Sequence, residues 1–143
     1  MRTLIIVIGL LTIAVLAPGA MATSRDSSVA VGKSAYGAVL FDGRGFALYA
    51  FTHDRPRRST CSGACAKAWP PYVVHGAIRA GTGARDSLLG TTRRADGSTQ
   101  ATYAGRPLYY YVGDRKAGQI LCQNVSEYGG LWLVVRASGA PVR

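Results

Sequence analysis

The chain has 143 residues, with 17 basic and 7 acidic side chains and a formal net charge of +10. This length suits one domain with a single hydrophobic core, so we expect no second domain. The only carboxylates are those of Glu127 and six aspartates, which argues against a hydrolase built on paired carboxylates.

Residues 1–22 have the layout of a secretory signal peptide. Arg2 supplies a positive start, residues 4–16 form an apolar run, and residues 20–22 have the A-x-A pattern. The run is shorter than the roughly 20 residues of a membrane-spanning helix. We therefore predict cleavage near Ala22, a mature chain without a transmembrane segment, and a protein that is secreted or associated with the cell envelope. No cysteine precedes Cys61, so this junction offers no site for a lipoprotein's lipid.

After the signal peptide, composition divides the chain into three parts. Residues 23–33 are small and polar and are predicted to be a flexible leader. A single domain is expected over residues 34–137, followed by a tail at residues 138–143. Within that domain, the Gly- and Ala-rich residues 76–90 are typical of a long surface loop.

Two parts of the domain have the pattern of a β-hairpin, with β-forming runs on either side of a glycine-containing turn. A further β-branched run comes near the end of the domain. The paired runs are residues 39–41 with 46–51 and residues 99–103 with 107–112, and the last run is residues 131–136.

One short helix is predicted over residues 63–69, between Ser62 as a candidate N-cap and the helix-breaking Pro70. Helical periodicity is weak elsewhere. The expected class is mostly β, with two hairpin repeats in one small antiparallel sheet, a sandwich or a barrel-like domain.

The two hairpins end in related sequences. Residues 48–54 align with residues 108–114, and the two divergent repeats extend over about residues 36–75 and 91–136. The shared positions are a tyrosine, an aromatic residue two places later and an aspartate, namely Tyr49, Phe51 and Asp54 in the first repeat and Tyr109, Tyr111 and Asp114 in the second.

Strand alternation places the tyrosine and the following aromatic residue on one face of the strand. The aspartate then falls at the strand end, where its carboxylate can accept backbone N–H groups or pair with Arg55 or Arg115. We favour this architectural interpretation. The alternative is a pseudo-symmetric binding site made of Asp54, Asp114 and several tyrosine hydroxyls.

Four further motifs accompany the repeated one. They are Ser59-x-Cys61-x-Gly63-x-Cys65-Ala66-x-x-Trp69-Pro70-Pro71, Arg94-x-Asp96-Gly97, Tyr103-x-Gly105-x-Pro107-Leu108-Tyr109 and Gly129-Gly130-Leu131-Trp132. Over about residues 36–136 the chain resembles the bacterial secreted-repeat family, often lipoproteins, named for its Y-x-F-x-x-D motif. The resemblance implies an exported, β-rich domain without an established biochemical role. The chain departs from the family pattern in its missing lipobox cysteine and its extra Cys122.

Three cysteines in an exported chain imply one disulfide and one odd thiol. Loop-closure entropy favours a long link to Cys122, whereas geometry can forbid it. Proximity and the family resemblance favour Cys61 with Cys65. Cys122 is then a free or intermolecular thiol.

Other site chemistry has weak support in the sequence. Cys61 and Cys65 with His53 and His75 are suitable ligand types for zinc or copper, but their spacing fits no metal motif and C-x-x-C-H is absent. No third group orients Cys65 or Cys122 with His75 as a thiol enzyme requires. We therefore predict no metal, no cofactor, no catalytic residue and no enzyme.

The arginine-rich composition gives the main indication of a partner. Outside the membrane, a basic surface meets anionic envelope polymers rather than a genome, so we expect no nucleic acid ligand. The predicted function is a non-enzymatic binding or structural module for such polymers or for a protein partner. The alternative is an envelope redox, metal-handling or haem-handling protein that uses the Cys61–Cys65 segment. The oligomeric state is left open.

Overall fold

The computed structural model describes residues 27–143. The predicted signal peptide, its cleavage site and residues 23–26 of the predicted leader lie outside this range. Among the described residues, no helix has the length and hydropathy needed to cross a membrane.

The fold is mostly β with one short α-helix, as the sequence predicts. A 3-10 helix at Asp86–Leu88 precedes the fifth strand. The elements in chain order are β1 Ser28–Ser34, β2 Gly37–Asp42, β3 Tyr49–Phe51, α1 Ala64–Ala68, β4 Arg79–Ala80, β5 Leu89–Arg93, β6 Thr99–Tyr103, β7 Arg106–Pro107, β8 Val125–Glu127 and β9 Gly130–Val134.

The strands form three small sheets, in the orders β2-β1-β4, β3-β9-β8 and β5-β6-β7. Every pairing is antiparallel except that of β1 with β4. The predicted second hairpin is present as β6 and β7, joined by a two-residue turn in which Ala104 and Gly105 have φ of 50° and 73°. Such left-handed pairs match the twist of the strands that they connect.

The folded domain begins earlier and ends later than the sequence predicts. β1 starts at Ser28 inside the predicted leader, because its backbone pairs with β2 and its Val29 side chain is fully buried. The predicted tail is also wrong as a separate segment. Val142 packs into the core and donates its N–H to the Val134 carbonyl at 2.9 Å.

The predicted helix is present but shorter, at Ala64–Ala68 rather than residues 63–69. Gly63 rather than Ser62 is its N-cap, and no side chain of the described residues forms an N-cap hydrogen bond with the helix. The reason is geometric, since Gly63 has a φ of 56°, which glycine adopts more readily than serine.

The two repeats exchange their final segments. β3 of the first repeat pairs with β9 of the second, with Phe51 opposite Trp132. In return, the segment after Trp69 joins the second repeat, where the Tyr72 carbonyl accepts the Ala101 N–H at 2.8 Å. Each repeat is therefore completed by backbone of the other.

Candidate functional site

A pseudo-two-fold axis passes between equivalent residues of the two repeats. Tyr49 and Tyr109 lie opposite each other and exchange both backbone hydrogen bonds, each at 2.9 Å. This reciprocal exchange is the pattern of a hydrogen-bonded antiparallel pair. The repeated motifs thus meet at the centre of the molecule.

The tyrosine of each repeat donates its hydroxyl to the aspartate of the other. Tyr49 bonds the Asp114 carboxylate at 2.6 Å, and Tyr109 bonds the Asp54 carboxylate at 2.7 Å. Both tyrosines are fully buried, so each phenol depends on this partner. We call these two hydrogen bonds the crossed Tyr–Asp pairs.

Each aspartate also fixes the loop that follows it, as the architectural interpretation expects. Asp54 accepts the Thr60 N–H at 2.7 Å, and Asp114 accepts the Leu121 N–H at 2.9 Å. Among the described residues, Arg55 and Arg115 form no salt bridge with these carboxylates. Of the two partners that the sequence offered, the carboxylates therefore take the backbone amides of the following turn and not the adjacent arginines.

Burial sets the ionisation of the crossed pairs. It raises the pKa of Tyr49 and Tyr109 well above the ordinary range, so both phenols remain protonated donors. Burial also raises the pKa of Asp54 and Asp114, while the hydrogen bonds that each carboxylate accepts act in the opposite direction.

An aromatic column fills the core beside the crossed pairs. Trp69 and Trp132 stack with ring centroids 4.1 Å apart, and Phe51 stacks on Trp132 at 4.2 Å. Tyr111 lies against Trp69 at 4.8 Å. The aromatic residue of each motif therefore contacts the tryptophan of the other repeat, and we define the aromatic column as Phe51, Trp132, Trp69 and Tyr111.

The tyrosines complete this pattern from the side. Tyr49 meets Trp69 edge-on at 5.2 Å, and Tyr109 meets Trp132 edge-on at 5.1 Å. Tyr49 and Phe51 share one core cluster, as strand alternation predicts, while Leu48 and Ala50 face the other.

A buried polar network adjoins the Tyr109–Asp54 pair. Arg94 donates to Ser59 at 2.8 Å, to Gln100 at 2.7 Å and to the Cys61 carbonyl at 2.7 Å. Ser59 in turn lies 2.7 Å from the Tyr109 hydroxyl. Sequence reasoning assigned no role to Arg94, Ser59 or Gln100, although Arg94 and Ser59 belong to the spaced motifs.

The structure confirms the Cys61–Cys65 disulfide, with Cα atoms 5.3 Å apart and both residues buried. Cys122 is unpaired and half-buried, and it packs against the core cluster beside Tyr111. No group of three His, Cys, Asp or Glu residues suited to a metal ion occurs within residues 27–143.

A small basic groove lies where the two repeats present their turns to each other. Arg57 donates its N–H to the Gly105 carbonyl at 2.7 Å and so joins the turn after β3 to the β6–β7 turn. A cavity of about 120 Å³ opens beside this contact. Its lining consists of Phe51, Asp54, Arg55, Pro56, Ala104, Gly105, Arg106 and Pro107, which define the basic groove.

The side-chain carboxylates of residues 27–143 all accept hydrogen bonds from within the protein. Each of the six accepts at least one hydrogen bond from a side chain or backbone amide. Of the 15 basic side chains in residues 27–143, only Arg44 and Arg94 lie within ion-pair distance of a carboxylate. The remaining described cations are thus available to a ligand.

Removing one partner of a crossed pair should destabilise the domain. We expect Asp114→Ala to lower the free energy of unfolding by about 1–3 kcal/mol, because the Tyr49 hydroxyl stays buried without its acceptor. Adding Tyr49→Phe should recover part of this loss, since both polar partners are then absent. Urea denaturation of the two single variants and the double variant measures the coupling.

The exposed Asp86, whose carboxylate accepts the Ala80 N–H, provides the control, and Asp86→Ala should change stability by less than about 0.5 kcal/mol. If Asp114→Ala kept full stability but lost ligand binding, the crossed pair would belong to a binding site and the architectural interpretation would be wrong.

Comparison with models of known protein families gives a match. A family model described as a secreted repeat of unknown function matches residues 30–72 and residues 90–136. The matched ranges contain both copies of the Tyr–aromatic–Asp motif and both tryptophans. No curated protein and no solved structure matches the chain.

Proposed function

Because the chain belongs to the family of secreted repeats of unknown function, we propose that it is a non-enzymatic binding module that holds anionic polymers outside the membrane. The proposal includes export with removal of residues 1–22 and retention at the cell envelope or release from it. The observation that carries it is the excess of unpaired positive charge, since only two of the 15 basic side chains in residues 27–143 lie within ion-pair distance of a carboxylate.

The basic groove supplies a specific place for the polymer. Arg55 and Arg106, one from each repeat, line the same cavity. Arg106 is anchored by its Nε, which donates to the Gly139 carbonyl at 3.0 Å, so its terminal amines remain for a ligand. Paired guanidinium groups suit phosphate or carboxylate oxygens.

Asp54 also lines the groove, and its single carboxylate offsets only one of these two guanidinium charges. Both oxygens of Asp54 accept hydrogen bonds, from Thr60 and from Tyr109. Arg55, Arg57 and Arg58 are all exposed on the same turn and add to the positive field. The groove therefore favours a polymer with closely spaced anionic groups.

The site related to the basic groove by the pseudo-two-fold axis provides a contrast. There the turn containing Arg44 meets Gly118, whose N–H donates to the Gly45 carbonyl at 2.9 Å. Arg44 pairs with the buried Asp42 at 3.0 Å and lies over the Tyr110 ring. Arg44 is therefore neutralised by a carboxylate, whereas Arg55 and Arg106 of the basic groove have no such partner among the described residues.

The test compares two charge-matched variants of the exported protein. Arg55→Gln with Arg106→Gln should weaken binding of inorganic polyphosphate about tenfold, because each charged hydrogen bond contributes about 1.5–3 kcal/mol before exposure reduces it. Arg115→Gln with Lys116→Gln removes the same charge at the pseudo-equivalent turn and should have a small effect. Isothermal titration in a series of salt concentrations measures both.

Binding should weaken as salt rises, because the Debye length falls to about 8 Å at physiological ionic strength. Polyglutamate serves as the carboxylate polymer and neutral dextran as the blank. An equal loss of polyphosphate binding in both double variants would show that the basic groove is not the binding site. Salt-independent or absent binding of both polyanions would overturn the function itself.

A further inference from the structure

The aromatic column joins the buried core to a sulfur atom at the domain edge. Its tryptophans are stacked within 4° of parallel, and Tyr111 continues the contact from Trp69. Tyr111 and Cys122 are both half-buried and pack against the same core cluster. The two side chains also interact directly, since a hydrogen bond with Cys122 raises the pKa of Tyr111. Electron transfer between aromatic rings is fast at contact distance, so the rings form an unbroken path.

One carboxylate beside the column provides a site for a proton that oxidation of the column releases. Trp69 donates its indole N–H to the Glu127 carboxylate at 2.9 Å.

Trp132 differs from Trp69 in this respect. Its indole nitrogen is buried and has no hydrogen-bond partner among the described residues. An oxidised Trp132 therefore has no base to take its proton, and its charge is best relieved by an electron from Trp69. This asymmetry directs an oxidising equivalent along the column toward Tyr111.

We propose that the aromatic column is a one-electron relay that carries oxidising equivalents from the Trp69–Trp132 pair to Cys122. Its substrates are diffusible one-electron oxidants, such as peroxide-derived radicals or high-potential metal complexes. The relay gives the domain a second activity, the quenching of such oxidants, which is independent of polymer binding at the basic groove.

In each chain, one electron passes to the oxidant and one proton passes to water. The oxidant gains one electron and the tryptophan pair loses one. Tyr111 returns an electron to the pair and releases its phenolic proton to water. The tyrosyl oxygen then takes a hydrogen atom from Cys122, so that the S–H bond breaks and the O–H bond forms again. Thiyl radicals of two chains combine into one disulfide.

The experiment uses the exported protein with tris(bipyridine)ruthenium and persulfate under flash illumination. Electron paramagnetic resonance follows the aromatic radicals. Gels run with and without a thiol reductant separate the Cys122-linked dimer, which the reductant cleaves, from tyrosine-coupled dimers, which it does not. Wild-type protein should give the dimer. Cys122→Ser should give none and should show a longer-lived tyrosyl radical.

Tyr111→Phe is the decisive variant, because it keeps the ring against Trp69 but removes the oxidisable phenol. It should lose most of the dimer while retaining the wild-type melting temperature. Tyr36→Phe, which changes an exposed tyrosine outside the column, should keep the wild-type yield. Dimer formation in Tyr111→Phe at the wild-type rate would show direct oxidation of Cys122 and overturn the relay. Radical signals that disappear in Tyr36→Phe would overturn it as well.

Discussion

Trp132→Ala should lower the free energy of unfolding by about 3–5 kcal/mol, the range for deleting a buried large aromatic side chain. Trp132 is fully buried and contacts Phe51, Trp69 and Tyr109 through its ring. Its removal opens a cavity between the two repeats, at the centre of the aromatic column. Guanidinium denaturation followed by circular dichroism measures the loss.

Two further variants provide comparisons for the loss of stability in Trp132→Ala. Trp132→Phe should cost less, because the indole N–H of Trp132 has no hydrogen-bond partner within residues 27–143 to lose. Tyr36→Ala removes an aromatic ring that is 39% exposed and should change stability by less than about 0.5 kcal/mol. If Trp132→Ala cost no more than Tyr36→Ala, the aromatic column would not be the centre of the fold.

Neither half of the chain should fold alone when the polypeptide is divided between Gly83 and Ala84. The exchanged segments explain why, since β3 would lose β9 and the second repeat would lose the segment after Trp69. Each half would also expose one tyrosine and one aspartate of the crossed pairs. Mixing the halves should restore the β-sheet signal and a cooperative thermal transition.

The control for this division is the intact chain, nicked at the same bond after folding. It should remain folded, because the bond lies in a surface segment and its removal deletes no strand. Circular dichroism of each half, of the mixture and of the nicked protein makes the comparison. A half that shows its own cooperative transition would contradict mutual completion of the repeats.

The sequence was most informative where local rules decide the outcome. The β-forming runs around residues 104–106 gave a hairpin, because glycine at a left-handed position fixes a tight turn. Alternation along residues 48–51 placed Tyr49 and Phe51 in one core cluster. The short helix ended before Pro70, since proline cannot continue a helix.

The boundaries of the domain were less predictable. Residues 23–28 are small and polar, but Val29 and Val31 follow, and β1 forms there because β2 provides a partner for its backbone. Val142 is buried because its side chain packs into the core cluster that contains Val134 and Trp132. Both outcomes depend on packing partners that composition does not reveal.

The sequence by itself determined that the chain is a basic, mostly β protein with two copies of one motif, and it favoured a disulfide between Cys61 and Cys65, which the structure confirms. These features follow from residue type, spacing and local geometry, together with the family resemblance. Only the tertiary structure decided that Tyr49 bonds Asp114 and Tyr109 bonds Asp54, across the repeats rather than within them. The physical reason is that strand exchange brings together side chains more than 50 residues apart, and no local preference of the chain specifies which repeat completes the other.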